Sequence, residues 1–326
     1  MSDPIDILLL LALPASGKSE IRRYLKSLRP EQARADFHLG DTVQLDDYPY
    51  VHMMRRASSE LRRLGSDGVF FDADDRPMKD ARDWGMLIEL LNEDYEDLRR
   101  GRRAAPAAVG AWLLDRLDAA RSKVGADAAF GKLPPALRAA LIGAIESEAR
   151  ELLRDKNAAV ADSLEGRTVV IEAARGGPDG AKLPLPAPLG YGYSIGVLSN
   201  SILSRAAILY VWVTPEESSR KNRERADPAD PGSILHHGVP DAVMYGDYGC
   251  DDMEWLIMNS GRPDTVKIET RGKTFYLPVA RFDNRLDKTT FVRADPSSWK
   301  PEDVRALHDG LAEAFARLRK ATAARV

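Results

Sequence analysis

Cysteine is almost missing from this chain. One residue, Cys250, occurs in 326, so no disulfide can close within the chain, and a cytosolic setting is the expectation. Long apolar runs are missing too. None approaches the ~20 residues that a bilayer-spanning helix needs, so no membrane partner is expected. The apolar run near the start follows "MSDPID", acidic where a signal peptide needs positive charge, and reads as a buried strand. There is no surplus of positive charge. A net charge of -3 argues against a general nucleic-acid or membrane-surface binder. No repeat of roughly 20–50 residues marks a solenoid.

What is present suits a folded globular protein. Apolar residues make up 44% and charged residues 30%, enough for a sizeable core and against global disorder. The length suggests about two domains, or one with a large insertion.

Residues 5–12 form an apolar run of the kind a strand covered on both faces shows. "GKSEIRRYLKSL" follows, with Ile21, Leu25 and Leu28 at helical spacing, and Pro30 blocks its continuation. Residues 36–48 predict a short strand and an acidic loop. "PYVHMMRRASSELRRLG" predicts a helix with Pro49 at its start and Gly65 past its end. "GVFFDADD" predicts a short strand running into acids. Residues 81–165 change character and predict a helical insertion: Val109, Trp112, Leu113, Leu117 and Val124 share one helix face, and Leu137, Leu141, Ile145, Leu152 and Leu153 mark another. The strand pattern returns with "RTVVIE", "AAILYVWV" and two strands around Gly272-Lys273. Between the first two lies a Gly/Pro-rich loop. "TPEESSRKNRER" opens a helix with Thr214 as N-cap and Pro215 at its first position, and "KPEDVRALHDGLAEAFARLRK" closes the chain as an amphipathic helix. The alternation predicts an α/β fold with a mainly parallel sheet of about five strands.

"ALPASGKS", residues 12–19, sits between the first strand and the first helix. A phosphate-binding loop needs inward-pointing backbone N–H groups, a lysine for the terminal phosphates and a hydroxyl for Mg²⁺. Lys18 and Ser19 supply the last two. Leu13, Pro14, Ala15, Ser16 and Gly17 form the cradle, and the helix start adds its positive end. The first glycine of the usual pattern is Ala12. Ala12 and Ala15 each add a methyl group and disfavour positive φ, yet remove no N–H donor.

This loop in its strand–helix context resembles the P-loop kinase superfamily, which holds nucleoside and nucleotide kinases, polynucleotide kinases, zeta toxins and related small-molecule kinases. Many carry "G-x-P-x-S-G-K-S", and "A-L-P-A-S-G-K-S" departs from it at the first glycine. The resemblance is carried by residues 5–28, 168–175 and 207–225. It implies a P-loop NTPase core of three layers from residues 1–80 and 166–326, with residues 81–165 as an inserted helical cap on the substrate side. It further implies ATP and Mg²⁺, and transfer of the γ-phosphoryl group to a hydroxyl or phosphate of a small molecule or nucleotide. Nucleic acid is disfavoured as a partner by the net charge, although a 5'-hydroxyl nucleic-acid kinase stays among the alternatives. So does an NTP-hydrolysing switch acting through a partner protein. No feature of the sequence sets the oligomeric state.

The remaining candidates follow from strand ends and from that resemblance. Glu172 ends "TVVIE", and ligands gather at the carboxyl ends of parallel strands, so it is a candidate for the Mg²⁺ shell or for the acceptor hydroxyl. Arg175 resembles the arginine that follows such an acid in nucleoside kinases, with acceptor or phosphate as its target. Asp41, Asp46 and Asp47 lie where such kinases meet the acceptor, Asp46 as catalytic carboxylate and Asp47 as a substrate contact. Asp72, with Asp74 and Asp75, forms a competing acidic set. Arg220, Arg223 and Arg225 fall where the resemblance places a lid, near 220–235, whose arginines clamp phosphates. His236, His237, Cys250, Asp251 and Asp252 match no zinc spacing and read as substrate loops. His38, His52 and His308 read as structural, and the basic end "RLRKATAAR" as a complement to its helix dipole.

Overall fold

Side chains alternate across a strand, so a leucine run buried throughout must be covered on both sides. That is the plan of the molecule. The computed structural model describes residues 4–225 and 238–323, the side chain of Arg225 excepted. In chain order the elements are β1 (Ile7–Leu11), α1 (Lys18–Ser27), α2 (Pro30–Phe37), β2 (Asp41–Asp46), α3 (Tyr48–Arg63), α4 (Asp83–Arg99), α5 (Val109–Lys123), α6 (Pro135–Ala159) and β3 (Arg167–Ala173). There follow α7 (Gly190–Val197), α8 (Asn200–Leu203), β4 (Ala206–Trp212), α9 (Pro215–Arg225), α10 (Asp241–Asp247), α11 (Met253–Met258), β5 (Thr265–Thr270), β6 (Lys273–Asp283) and α12 (Pro301–Ala323). Among the described residues no helix is long and apolar enough to cross a membrane.

The strands form one sheet of six in the order β2-β3-β1-β4-β6-β5. All neighbours run parallel except β5, which pairs antiparallel with β6 through the turn at Arg271-Gly272. The fold is α/β, as expected. The sheet is mainly parallel, with six strands where about five were expected, and the two strands expected around Gly272-Lys273 form its antiparallel edge.

Leu8, Leu10, Leu209 and Phe282 point to one face and pack with Ile21 and Tyr24 of α1, Phe37 of α2 and Leu311 and Phe315 of α12. Ile7, Leu9, Leu11, Ile171 and Ile208 point to the other, against Ile88, Leu91 and Tyr95 of α4 and Ile195 of α7. A third apolar cluster joins α3, α4, α5 and α6 around Met54, Leu87, Leu113, Phe130 and Ile145. Apolar contacts therefore cross the boundary drawn at residue 80. α3 shares its core with α5 and α6, while α4 serves both this cluster and the sheet. Asp118 secures the chain after α5 by accepting from the N–H groups of Ala129, Phe130 and Gly131.

One expected strand is absent. "GVFFDADD" forms bends. Phe70 and Phe71 are buried in the helical cluster. The Phe70 N–H donates to Ser58 Oγ, and its carbonyl accepts from the Lys79 N–H. Those partners satisfy the backbone that a neighbouring strand would otherwise satisfy.

β1 lies between β3 and β4, where chain order along the sheet reverses. The crevice beyond the carboxyl ends of strands at such a switch point is where α/β sheets bind ligands. Residues 12–17, 46–47 and 172–175 all lie at that edge.

Candidate functional site

The loop after β1 is held by its carbonyl groups. Lys18 Nζ donates to the carbonyls of Ala12 at 3.0 Å and Leu13 at 3.3 Å. Ser16 Oγ donates to the Leu13 carbonyl at 2.7 Å. Two distant residues complete the pinning. Ser218 Oγ of α9 donates to the Pro14 carbonyl at 2.7 Å, and Asn284 Nδ2, just past β6, donates to the Ser16 carbonyl at 2.8 Å. The loop's carbonyls are thus engaged by its own Lys18 and Ser16 and by Ser218 and Asn284. α1 starts at Lys18 with no side-chain cap. An uncapped helix start offers its first N–H groups to an anion.

Gly17 precedes α1 at φ +104°. A Cβ there would lie 2.5 Å from Thr289 Oγ1 and 2.8 Å from Asn284 Nδ2, so the position needs glycine for conformation and for space. Ala15 corrects an expectation. It stands at φ +56° in the left-handed region that its methyl group was expected to disfavour. The cost of about 1–2 kcal/mol is borne by the surrounding bonds. Ala12 is fully buried beneath the loop.

Carboxylates face this loop. Parallel pairing of β2 with β3 sets Asp46 beside Glu172 at the ends of the two strands. Arg22, one turn beyond Lys18 in α1, reaches Glu172 at 2.7 Å and Asp46 at 3.4 Å. Gln44 Nε2 adds a contact to Glu172 at 3.4 Å. Burial pushes the Asp46 carboxyl well above the usual carboxylate range, and the charges of Glu172 and Asp47 push the same way. The Tyr48 N–H and Arg22 oppose that rise.

Asp47 and Arg175, both expected to touch substrate, are matched to each other. Arg175 Nη1 sits 2.5 Å from Asp47 and 2.6 Å from the Ala174 carbonyl, with its guanidinium 5.1 Å from the centre of the Trp84 ring. The pair is buried and ties the end of β3 to the start of α3.

One cleft is lined by residues 14–20, Asp46, Asp47 and Glu172, and continues past Tyr48, His52 and Arg55 of α3 to Phe71, Trp84 and Tyr248. His52, expected to be structural, lies on it and pairs with Glu148 at 2.9 Å. His38 and His308 lie elsewhere, against Arg319 and Tyr24 respectively.

Other expected site residues lie apart from the cleft. Asp72 is exposed and pairs with Lys79 at 2.7 Å, because the bends after Phe71 turn it to solvent. Asp74 binds Arg62. Asp41 opens β2 at the end opposite Asp46. Arg220 is held by Glu217 and Glu224 of its own helix, and Arg223 lies 3.9 Å from Asp241 at the surface. Neither arginine lines the cleft, since local acids fix Arg220 along α9. The Arg225 side chain, the lid expected up to 235, His236 and His237 lie outside the described residues.

Asp251 accepts from the Tyr210 hydroxyl at 2.7 Å, and Asp252 from the N–H groups of Tyr191 and Gly192 at the start of α7. No group of three or more His, Cys, Asp or Glu side chains suited to a metal occurs among the described residues. Ser19, Asp46 and Glu172 nonetheless supply hard oxygen donors along one wall of the cleft. Mg²⁺ typically takes one or two carboxylates and completes its shell with water and substrate phosphates, so this donor set fits it.

Sequence reasoning missed Ser218, Asn284, Thr289 and Arg22. Three of these come from segments far from the loop in sequence. Arg22 gave a signal, because it lies four residues after Lys18 and therefore on the same helix face. Comparison with protein-family models, with curated proteins and with solved structures finds no match.

Proposed function

We propose that this chain is a P-loop phosphotransferase that moves the γ-phosphoryl group of Mg-ATP to a hydroxyl of a small acceptor. One observation carries the reading. A glycine-lysine-serine loop, pinned by its carbonyls at an α/β switch point, faces a carboxylate pair across a single cleft.

The ATP phosphates would lie on the amides of residues 14–19. Lys18, which now bonds the loop's own carbonyls, would turn to the β- and γ-phosphates. Mg²⁺ would be held by Ser19 with one of Asp46 and Glu172, and would neutralise charge on the phosphate oxygens. The acceptor oxygen forms a bond to the γ-phosphorus while the bond from that phosphorus to the β,γ-bridging oxygen breaks, and ADP leaves. The hydroxyl proton passes to the Asp46–Glu172 pair. Arg22 keeps that pair oriented. A positioned base supplies about 10²–10⁴-fold in rate, and most of the remainder comes from placement and charge stabilisation. The helices of residues 81–165 serve this reading as a cap, because Trp84 of α4 walls the acceptor end of the cleft.

The test is γ-labelled ATP with Mg²⁺ and a mixed panel of hydroxylated metabolites, nucleosides and a 5'-hydroxyl oligonucleotide. Label is expected on a small acceptor, with Asp46→Asn at least about 100-fold slower. Label released only as inorganic phosphate overturns the phosphotransferase reading in favour of hydrolysis. Label on the oligonucleotide alone overturns the small acceptor.

A further inference from the structure

The cleft runs well past the carboxylate pair. Tyr48, Val51, His52 and Arg55 of α3 all line it. Their spacing places them on one helix face. From Tyr48 to Arg55 the helix rises about 10 Å. The rest of this part of the lining is aromatic and apolar: Phe71, Trp84 and Tyr248 with Val243. Trp84 and Tyr248 meet edge to face, with centroids 5.6 Å apart.

The positive charges in and behind this cleft are unequally committed. Behind its lining, Arg175 is matched by Asp47, and Arg22 by Glu172 and Asp46. His52 has Glu148. Lys18 belongs to the phosphate loop. Arg55 differs. Its guanidinium lies 4.0 Å from the centre of the Phe71 ring and donates from Nη1 to the Asp74 carbonyl at 2.7 Å. Among the described residues it has no carboxylate within ion-pair distance. The Asp74 carboxylate is taken by Arg62, and Asp247, the other nearby acid, accepts from the Met78 N–H at 3.2 Å. Burial lowers the Arg55 pKa from its ordinary value, with Tyr248, Asp247, Asp74 and Tyr48 opposing. A half-buried guanidinium over an aromatic ring, on the lining of a cleft and with no carboxylate paired to it among the described residues, is a receptor for an oxyanion.

We infer that Arg55 binds an anionic group of the acceptor, and that the acceptor carries a carboxylate or phosphate on the order of 10 Å from its reacting hydroxyl, with an apolar or planar body between them. The name acceptor rests on the phosphotransferase reading; the anion site does not. The body lies along Val51 against Phe71, Trp84 and Tyr248. The hydroxyl end reaches Asp46 and Glu172. Arg55 then sets specificity and takes no part in bond making.

Ligand-observed NMR titration with phenyl phosphate, benzoate and benzyl alcohol tests the site. The three share a ring and differ in charge. The native protein is expected to bind at least one of the two anions at least ten-fold more tightly than benzyl alcohol, and which anion is held identifies the phosphate or carboxylate source. Arg55→Gln is expected to lose at least ten-fold for that anion and to keep its Mg-ATP affinity, which also reports that it folds. Val51→Glu, which sets a carboxylate one turn from Arg55, is expected to give the same loss by neutralising the guanidinium. Lys18→Ala separates the two readings. It is expected to lose Mg-ATP and to keep the anionic probe. Retention of Mg-ATP by Lys18→Ala would sink the phosphotransferase reading and leave the anion site standing. Benzyl alcohol binding as tightly as the anions, or undiminished anion binding by Arg55→Gln or Val51→Glu, overturns the anion site.

Discussion

At the scale of single residues, the loop at 12–19 depends on one position more than any other. Gly17 combines a φ of +104° with contacts to Thr289 and Asn284 that leave no room for a methyl group. Both constraints act on the same substitution. Gly17→Ala is expected to destabilise the fold by about 1–3 kcal/mol, from strain and overpacking together. It should also weaken Mg-ATP at least ten-fold, because Thr289 and Asn284 can yield only by releasing the Ser16 carbonyl. Chemical denaturation and nucleotide titration of the purified variant check both effects. Ala15→Gly, at φ +56°, is the contrasting control and should leave stability within about 1 kcal/mol of the parent. Much of this loop was legible in the sequence, since strand, loop and helix are contiguous and each carries its own pattern. Ser218 and Asn284 were not legible. They reach the loop through tertiary packing, and an isolated Ser or Asn near a strand end carries no mark of its partner.

At the scale of elements, α4 shows why periodicity alone misleads. It packs on the sheet and in the helical cluster at once, so it is apolar around most of its circumference and presents no single stripe. Its first residue, Asp83, is fully buried beside Arg121 of α5. Burial raises the Asp83 carboxyl to about 7, with Arg121 opposing most strongly. Arg121 Nε lies 3.2 Å from one carboxylate oxygen without aligned hydrogen-bond geometry. An acid whose pKa is raised on folding holds its proton more tightly in the folded state. Between the ordinary carboxylate pKa near 4 and about 7, the folded protein therefore binds more protons than the unfolded chain, and stability falls as pH rises through that window. Comparing urea denaturation at pH 5 and pH 8 should show the native protein losing on the order of 2–4 kcal/mol more than Asp83→Asn. Equal losses would show that Asp83 is ordinarily ionised in the fold. The strand expected at "GVFFDADD" failed for a related reason. Two buried phenylalanines look alike in a strand and in a loop tucked under helices, and only Ser58, on another element, decides between them.

At the scale of the whole molecule, strand order does what local sequence cannot. Asp46 and Glu172 come from distant segments and meet because β2 pairs with β3 in register. The sequence marked Glu172 as an acid at a strand end and Asp46 as part of an acidic loop. Their adjacency, their shared Arg22 and the mutual satisfaction of Asp47 and Arg175 follow from topology. Arg220 of α9 illustrates the converse, because a plausible local pattern resolves into ion pairs along its own helix. What remains is a cleft lined by the glycine-lysine-serine loop, the carboxylate pair and Arg55. The account stands on the first of these. Isothermal titration of Mg-ATP into the native protein and into Lys18→Ala tests it most directly. The native protein should bind one equivalent, and saturation at 100 times Kd should stabilise it by about 2.7 kcal/mol. Lys18→Ala, folded by circular dichroism, should bind at least 100-fold more weakly and gain no such stabilisation. Equal affinity in the two proteins, or no heat with either, would contradict the account.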